Sequence, residues 1–144
     1  MKIVFLLFGI ITLNTCGQKS MPNKTIITEF KYEASTRGSN YTCLINENDI
    51  DVISKGISDF QKSKSINNEQ WSSLINLSKT IDVLNLENLI APSNNSHTDR
   101  ARIATLTIIT PDSFYISKPF DEGNPPSQLK SLINNMLTIA KTVD

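Results

Sequence analysis

The stretch Thr25-Ile26-Ile27-Thr28-Glu29-Phe30-Lys31-Tyr32-Glu33-Ala34 decides the fold class. Ile26, Thr28, Phe30, Tyr32 and Ala34 recur at every second residue, and Glu29, Lys31 and Glu33 fill alternate positions. A period of two sends successive side chains to opposite faces of a strand, so this strand has one apolar face and one wet face. A sheet covered on one side only is an antiparallel habit, because parallel sheets are buried on both faces.

Reading onward from that strand, Ser35 to Asn40 holds a glycine and small polar residues and makes a turn. Tyr41, Cys43 and Ile45 alternate as a second strand. Asn46-Glu47-Asn48-Asp49 supplies turn chemistry, and Ile50 to Ser54 forms a third strand. The opening is therefore expected to be a three-stranded antiparallel meander. Gly56 to Ile66 is polar and weakly patterned and is expected to be a loop. Asn67 with Gln70 matches a capping pair, and Trp71, Leu74, Ile75, Leu77 and Ile81 follow at helical spacing, so a helix is expected from about Asn68 to Ile81. Val83 to Ile90 is aliphatic and irregular, suited to a short helical turn that Ala91-Pro92 ends.

Residues 93–98 have the composition of an exposed loop. Arg102 to Ile109 and Phe114 to Ser117 read as a hairpin around Thr110-Pro111-Asp112-Ser113. In Phe120 to Pro126 a punctuated loop is expected, with Asn124 capping the next helix and Pro125 at its first position. Leu129, Leu132, Ile133, Met136 and Ala140 share one face of that second helix. The expected fold is α+β: an antiparallel sheet of about five strands with two helices packed on one face.

The N-terminus carries a different kind of information. Met1-Lys2 precedes an apolar run from Ile3 to Leu13, the layout of a secretory signal. The run is shorter than the roughly 20 apolar residues a membrane-spanning helix needs. Leu13-Asn14-Thr15-Cys16 resembles the lipobox of bacterial lipoproteins, with Leu13 the aliphatic residue and Cys16 the lipidated cysteine. Asn14 and Thr15 are more polar or larger than that motif's usual small residues. The resemblance implies cleavage before Cys16, acylation there, and a place in the cell envelope. The expected layout is a signal peptide over 1–15, a lipid-anchored flexible tether over 16–24, and a single α+β domain over 25–144. Gly17, rather than Asp, follows the cysteine, and the resemblance then implies the outer membrane.

Charge narrows the partners. The chain has 14 Lys and Arg against 14 Asp and Glu, and with no basic stripe no nucleic-acid partner is expected. With Cys16 lipidated, Cys43 has no partner in the chain, and its alternation with Tyr41 and Ile45 places it in the core as a small hydrophobe. Two cysteines are too few for a zinc cluster. No Gly-x-Gly phosphate loop occurs, and no cofactor is expected.

His97 is the sole histidine, with Asp99 two residues on and Ser93 and Ser96 nearby. There is no Gly-x-Ser-x-Gly elbow, and these residues lie in one loop, so a solvated loop is the simpler reading. Asp121 and Glu122 flank the same hairpin as Asp99. With His97 they could offer oxygen and nitrogen ligands to a divalent cation, but the spacing is unlike a calcium loop and no metal site is assigned. His97, Asp99, Asp121 and Glu122 are kept as a candidate binding loop. Tyr115-Ile116-Ser117 together with Phe120-Asp121-Glu122-Gly123-Asn124-Pro125-Pro126 is similar to a motif in small uncharacterised lipoproteins of the Bacteroidota, where histidine often stands at the position of Glu122. That resemblance implies an envelope protein and no activity. The functional expectation is a non-enzymatic domain binding an envelope protein or glycan. The alternative is a small hydrolase or metal-dependent enzyme using the His97, Asp99 and Asp121 loops.

Overall fold

The computed structural model describes residues 25–56, 58–93 and 102–143. The chain runs β1 (Glu29–Thr36), β2 (Ser39–Asn46), β3 (Asp49–Lys55), β4 (Phe60–Ser65), α1 (Asn68–Ser78), β5 (Ile103–Ile109), β6 (Phe114–Ile116), β7 (Phe120–Asp121) and α2 (Lys130–Ala140). Short 3-10 segments occupy Val83–Asn88 and Lys141–Val143. The fold is α+β, and its antiparallel sheet has seven strands rather than about five, in the order β4-β3-β2-β1-β5-β6 with β7 also on β5.

From Phe30 onward the alternation that opened the sequence builds the core, but the strand begins only at Glu29, and Ile26 and Thr28, expected on its apolar face, are exposed. Phe30, Tyr32 and Ala34 are buried, and β1 sits centrally between β2 and β5, with Tyr32 opposite both Cys43 and Leu106. The expected capping box is formed: Gln70 N donates to Asn67 Oδ1 at 2.8 Å and Asn67 N donates to Gln70 Oε1 at 3.0 Å. From there α1 lays Leu74 into the core and sets Trp71 edge-on to Phe30, with ring centroids 5.6 Å apart. The second helix, α2, packs on α1, β2 and β3 and buries Leu132, Ile133 and Met136.

Three further expectations are corrected. The polar stretch over 56–66 contains strand β4, which extends the meander to four strands; all six of its residues are exposed, so no apolar rhythm announces it. Its Lys62 and Lys64 lie opposite Val52 and Ile50, on the core side of the sheet's edge, where inward charges block pairing with a second sheet. Lys64 Nζ instead donates to Thr142 O at 2.8 Å, in the 3-10 segment Lys141–Val143. The turn into β4 requires a left-handed residue: Gly56 has φ 110°, and a Cβ there would lie 2.0 Å from Gly38 O.

The second correction is β7, inside the expected loop over 120–126. After β6 the edge strand breaks at Ser117-Lys118-Pro119, where proline has no N–H to give. Ser117 bridges the break, its Oγ accepting from Leu106 N at 3.0 Å and its N donating to Leu106 O at 2.9 Å. Phe120 and Asp121 then rejoin β5 opposite Ala104 and Ile103. The third concerns α2, which begins at Lys130 with no side-chain cap. Asn124 and Pro125 each precede a proline, and a residue before proline is pushed out of the helical region, so the helix cannot begin until the pair has passed.

Candidate functional site

Strand β5 runs from Ile103 to Ile109 and separates two ends of the sheet by roughly 20 Å at ~3.4 Å per residue. At the Ile103 end, the pairing of β7 brings Asp121 beside the residues that flank 94–101. Asp121 is 2% exposed. Its Oδ2 accepts a short hydrogen bond from Ser93 Oγ, and Ser93 Oγ in turn accepts from Asn124 Nδ2 at 2.7 Å. Asn124 N donates to Asp121 O at 2.9 Å, which closes the turn around Gly123 at φ 82°. Asn124 is therefore a member of this network and not a helix cap.

The other flank is held too. Glu122 N donates to Arg102 O at 2.9 Å, and the Arg102 Nε lies 3.6 Å from Glu122 Oε2 with both side chains about one-third exposed. Of the residues singled out in the sequence, the structure thus brings Asp121 and Glu122 to one end of the sheet. His97 and Asp99 lie outside the described residues, as does Cys16. Sequence reasoning missed Asn124 and Arg102 as partners. Ser93 and Asn124 are 31 residues apart, and Ser93 and Asp121 are 28 apart, so no local spacing signals the contact.

Behind this end stands a wall of neutral groups. Tyr32 is tilted against Phe120, with centroids 6.5 Å apart, and edge-on to Tyr41 at 6.4 Å. Burial, followed by the charge of Glu122, raises the Tyr32 hydroxyl above the ordinary tyrosine range. Burial pushes Tyr41 up to about 12 and the Cys43 thiol up to about 12. A nucleophilic thiol needs a depressed pKa near positive charge, so Cys43 is a packing residue, 0% exposed. Among the described residues no three His, Cys, Asp or Glu side chains are placed to share a metal ion.

What the arrangement does chemically is hold backbone. A buried carboxylate that accepts a hydroxyl and helps to fix two chain segments makes a rigid base, since a satisfied polar network in low dielectric strengthens its members. At the opposite end of β5 lies a surface of other character, an open groove of about 630 Å³ lined by Ile26, Ile27, Ile75, Ile81, Val83 and Leu84 among others. No helix among the described residues is long and apolar enough to cross a membrane. Comparison of the chain with protein-family models, with curated proteins and with solved structures returns no match.

Proposed function

We propose that this chain is a lipid-anchored envelope protein, held through Cys16 after removal of residues 1–15, whose domain binds another envelope component without catalysis. The outer membrane is the proposed location. The observation that carries the reading is the Ser93–Asp121–Asn124 network, which spends the buried carboxylate on holding the flank of residues 94–101. Loops presented from a rigid scaffold are where recognition residues concentrate. The Arg102–Glu122 pair beside the network adds charges of both signs at the rim, suited to a polar surface of a partner protein or glycan.

The test is cross-linking and pull-down from intact cells, comparing wild type with Cys16→Ser and Arg102→Ala, with lipid labelling read on the same samples. A lipid label on wild type only, with a defined partner that is lost in Cys16→Ser and weakened in Arg102→Ala, supports the reading. Labelling without any partner removes its binding half, and no labelling removes the anchor.

One observation favours a second reading: the Ser93 hydroxyl rests on a buried carboxylate only four positions before His97. In a hydrolase or metal-dependent enzyme built there, His97→Ala abolishes turnover or a metal-induced thermal shift and leaves stability nearly unchanged. No response from a panel of metals and envelope substrates removes that reading.

A further inference from the structure

The surface where the N-terminal segment joins the domain is apolar and open. Ile26 is 66% exposed, Leu84 72%, Phe114 65% and Ile116 45%. These side chains are neighbours around one end of the sheet. The groove lined by Ile26, Ile27 and Ile75 extends to Val83 and Leu84. The same Val83 and Leu84 line a second concavity of about 380 Å³ that ends on Phe114 and Ile116. Thr28 N donates to Ile109 O at 2.8 Å, which fixes the first described residues beside the β5–β6 turn. Large apolar side chains scattered singly on a surface need no explanation, but a contiguous run of them does.

The length of chain leading to this surface says what lies near it. Thr25, the first described residue, is part of the groove wall. Nine peptide steps separate it from Cys16, and at 3.3–3.6 Å each they reach at most about 30 Å. If Cys16 carries lipid, the apolar surface lies within that reach of the bilayer, on the side of the domain from which the chain departs. We propose that Ile26, Leu84, Phe114 and Ile116 rest on the lipid surface itself, so that the domain is docked as well as tethered. This rests on the anchoring reading above.

The charges around the patch are mixed, with Lys79 and Asp82 in the groove wall, Glu87 in the second concavity, and Lys31, Glu33 and Asp112 beside Phe114 and Ile116. Among the described residues no basic cluster is present to seek anionic headgroups, so the contact is made by apolar burial and does not depend on anionic lipid. It leaves the Asp121 end of β5 pointing away from the membrane.

The test uses the full-length lipidated protein, purified and reconstituted in zwitterionic phosphatidylcholine vesicles whose acyl chains carry bromine. In a Trp71→Phe background a single reporter is placed by Leu84→Trp, or by Phe114→Trp, or by Ser63→Trp on the exposed far-edge strand β4. Docking is expected to quench the reporters at 84 and 114 at least twofold more than the one at 63. That difference should persist in about 1 M salt, where charge attraction is screened to ~3 Å. Mass analysis of the same samples reads the lipid on Cys16. Lipid on Cys16 with equal quenching at all three positions overturns docking and leaves the anchor standing, as would be found if a partner protein covers the patch. An unmodified Cys16 overturns the anchoring reading and this inference with it. Thermal melts of each variant show that the reporter sits in a folded domain.

Discussion

Ser93→Ala removes one hydroxyl and unsettles two partners. Asp121 loses a donor to its carboxylate and Asn124 loses an acceptor for its amide. A hydrogen bond to a charged group contributes about 1.5–3 kcal/mol net, and a neutral one about 0.5–1.5 kcal/mol. The two losses differ in how water repairs them. Asn124 is exposed, so its amide finds a water and its share shrinks toward zero. Asp121 is 2% exposed and cannot be rehydrated without opening the end of the sheet. The expected cost is therefore about 2 kcal/mol, mostly from the carboxylate side. With a urea dependence of roughly 1–3 kcal/mol per M, that lowers the unfolding midpoint by about 1 M. The assay is urea unfolding at pH 7 of the full-length protein in mild detergent. Trp71, the sole tryptophan, reports through its contact with Phe30. Ser93→Thr keeps a hydroxyl and should recover most of the loss. A midpoint for Ser93→Ala within about 0.2 M of wild type would refute the reasoning, since the network would then contribute less than ~0.5 kcal/mol to holding the flank.

Three further outcomes are expected. Stability should fall as pH rises above about 9: Cys43, Tyr32 and Tyr41 are held protonated by burial, so the unfolded chain releases protons first, and each such group steepens the loss by about 1.4 kcal/mol per pH unit. Tyr41→Phe should flatten the alkaline limb of a denaturation series and leave neutral pH little changed; an unchanged limb would count against the buried hydroxyl. With Cys16 lipidated as proposed, maleimide should label no thiol in the native protein, because Cys43 is 0% exposed, and one thiol after denaturation; two labels after denaturation would mean that Cys16 is unmodified. Lys62→Val with Lys64→Val should turn the β4 edge adhesive and give dimers or aggregates by light scattering, and a monomer as soluble as wild type would show that the inward lysines are not what protects that edge.

The parts of the fold that could be read from the sequence are those in which burial is one-sided. Strands β1 to β3 bury alternate residues and display period two, and α1 displays both its capping box and its apolar face. Strand β4 was hidden because both its faces are wet, so the hydrogen bonds of its partner β3 define it and no hydrophobic rhythm does. Strand β7 is two residues long, too short for any period to show. The start of α2 is not legible in the sequence, because Asn124 and Pro125 have the form of a cap and a first turn. The second proline, and the pull of Asn124 toward Ser93, put the helix several residues later. At the candidate site, Asp121 and Glu122 could be singled out as carboxylates near a hairpin. Their roles depend on Ser93, Asn124 and Arg102, and it is the break at Ser117–Pro119 and the rejoining of β7 to β5 that set Asp121 opposite Ile103.

Strand β5 orders the two surfaces in space. Its Ile109 end receives the N-terminal segment through Thr28 and carries the apolar patch; its Ile103 end carries Asp121, Glu122 and the flank of residues 94–101. A strand of this length is rigid, paired on one side by β1 and on the other by β6 and β7, so the ends cannot trade places. A tether joined to the domain centre would let either end meet the membrane. Under the anchoring proposed above, a tether that begins at Thr25 in the groove wall favours the Ile109 end, because turning the Ile103 end to the lipid would use about 20 Å of its roughly 30 Å reach in crossing the sheet. On the proposed docking, the apolar patch and the polar network answer two different environments: hydrocarbon at one end, where Ile26, Leu84 and Phe114 need no polar partner, and the aqueous envelope about 20 Å further out, where Arg102 and Glu122 stand at the surface. On this geometry a partner reached from the membrane side meets the wrong face. Cross-links from Arg102 and from Leu84 should therefore capture different molecules, a soluble or peptidoglycan-side component from the first and lipid from the second.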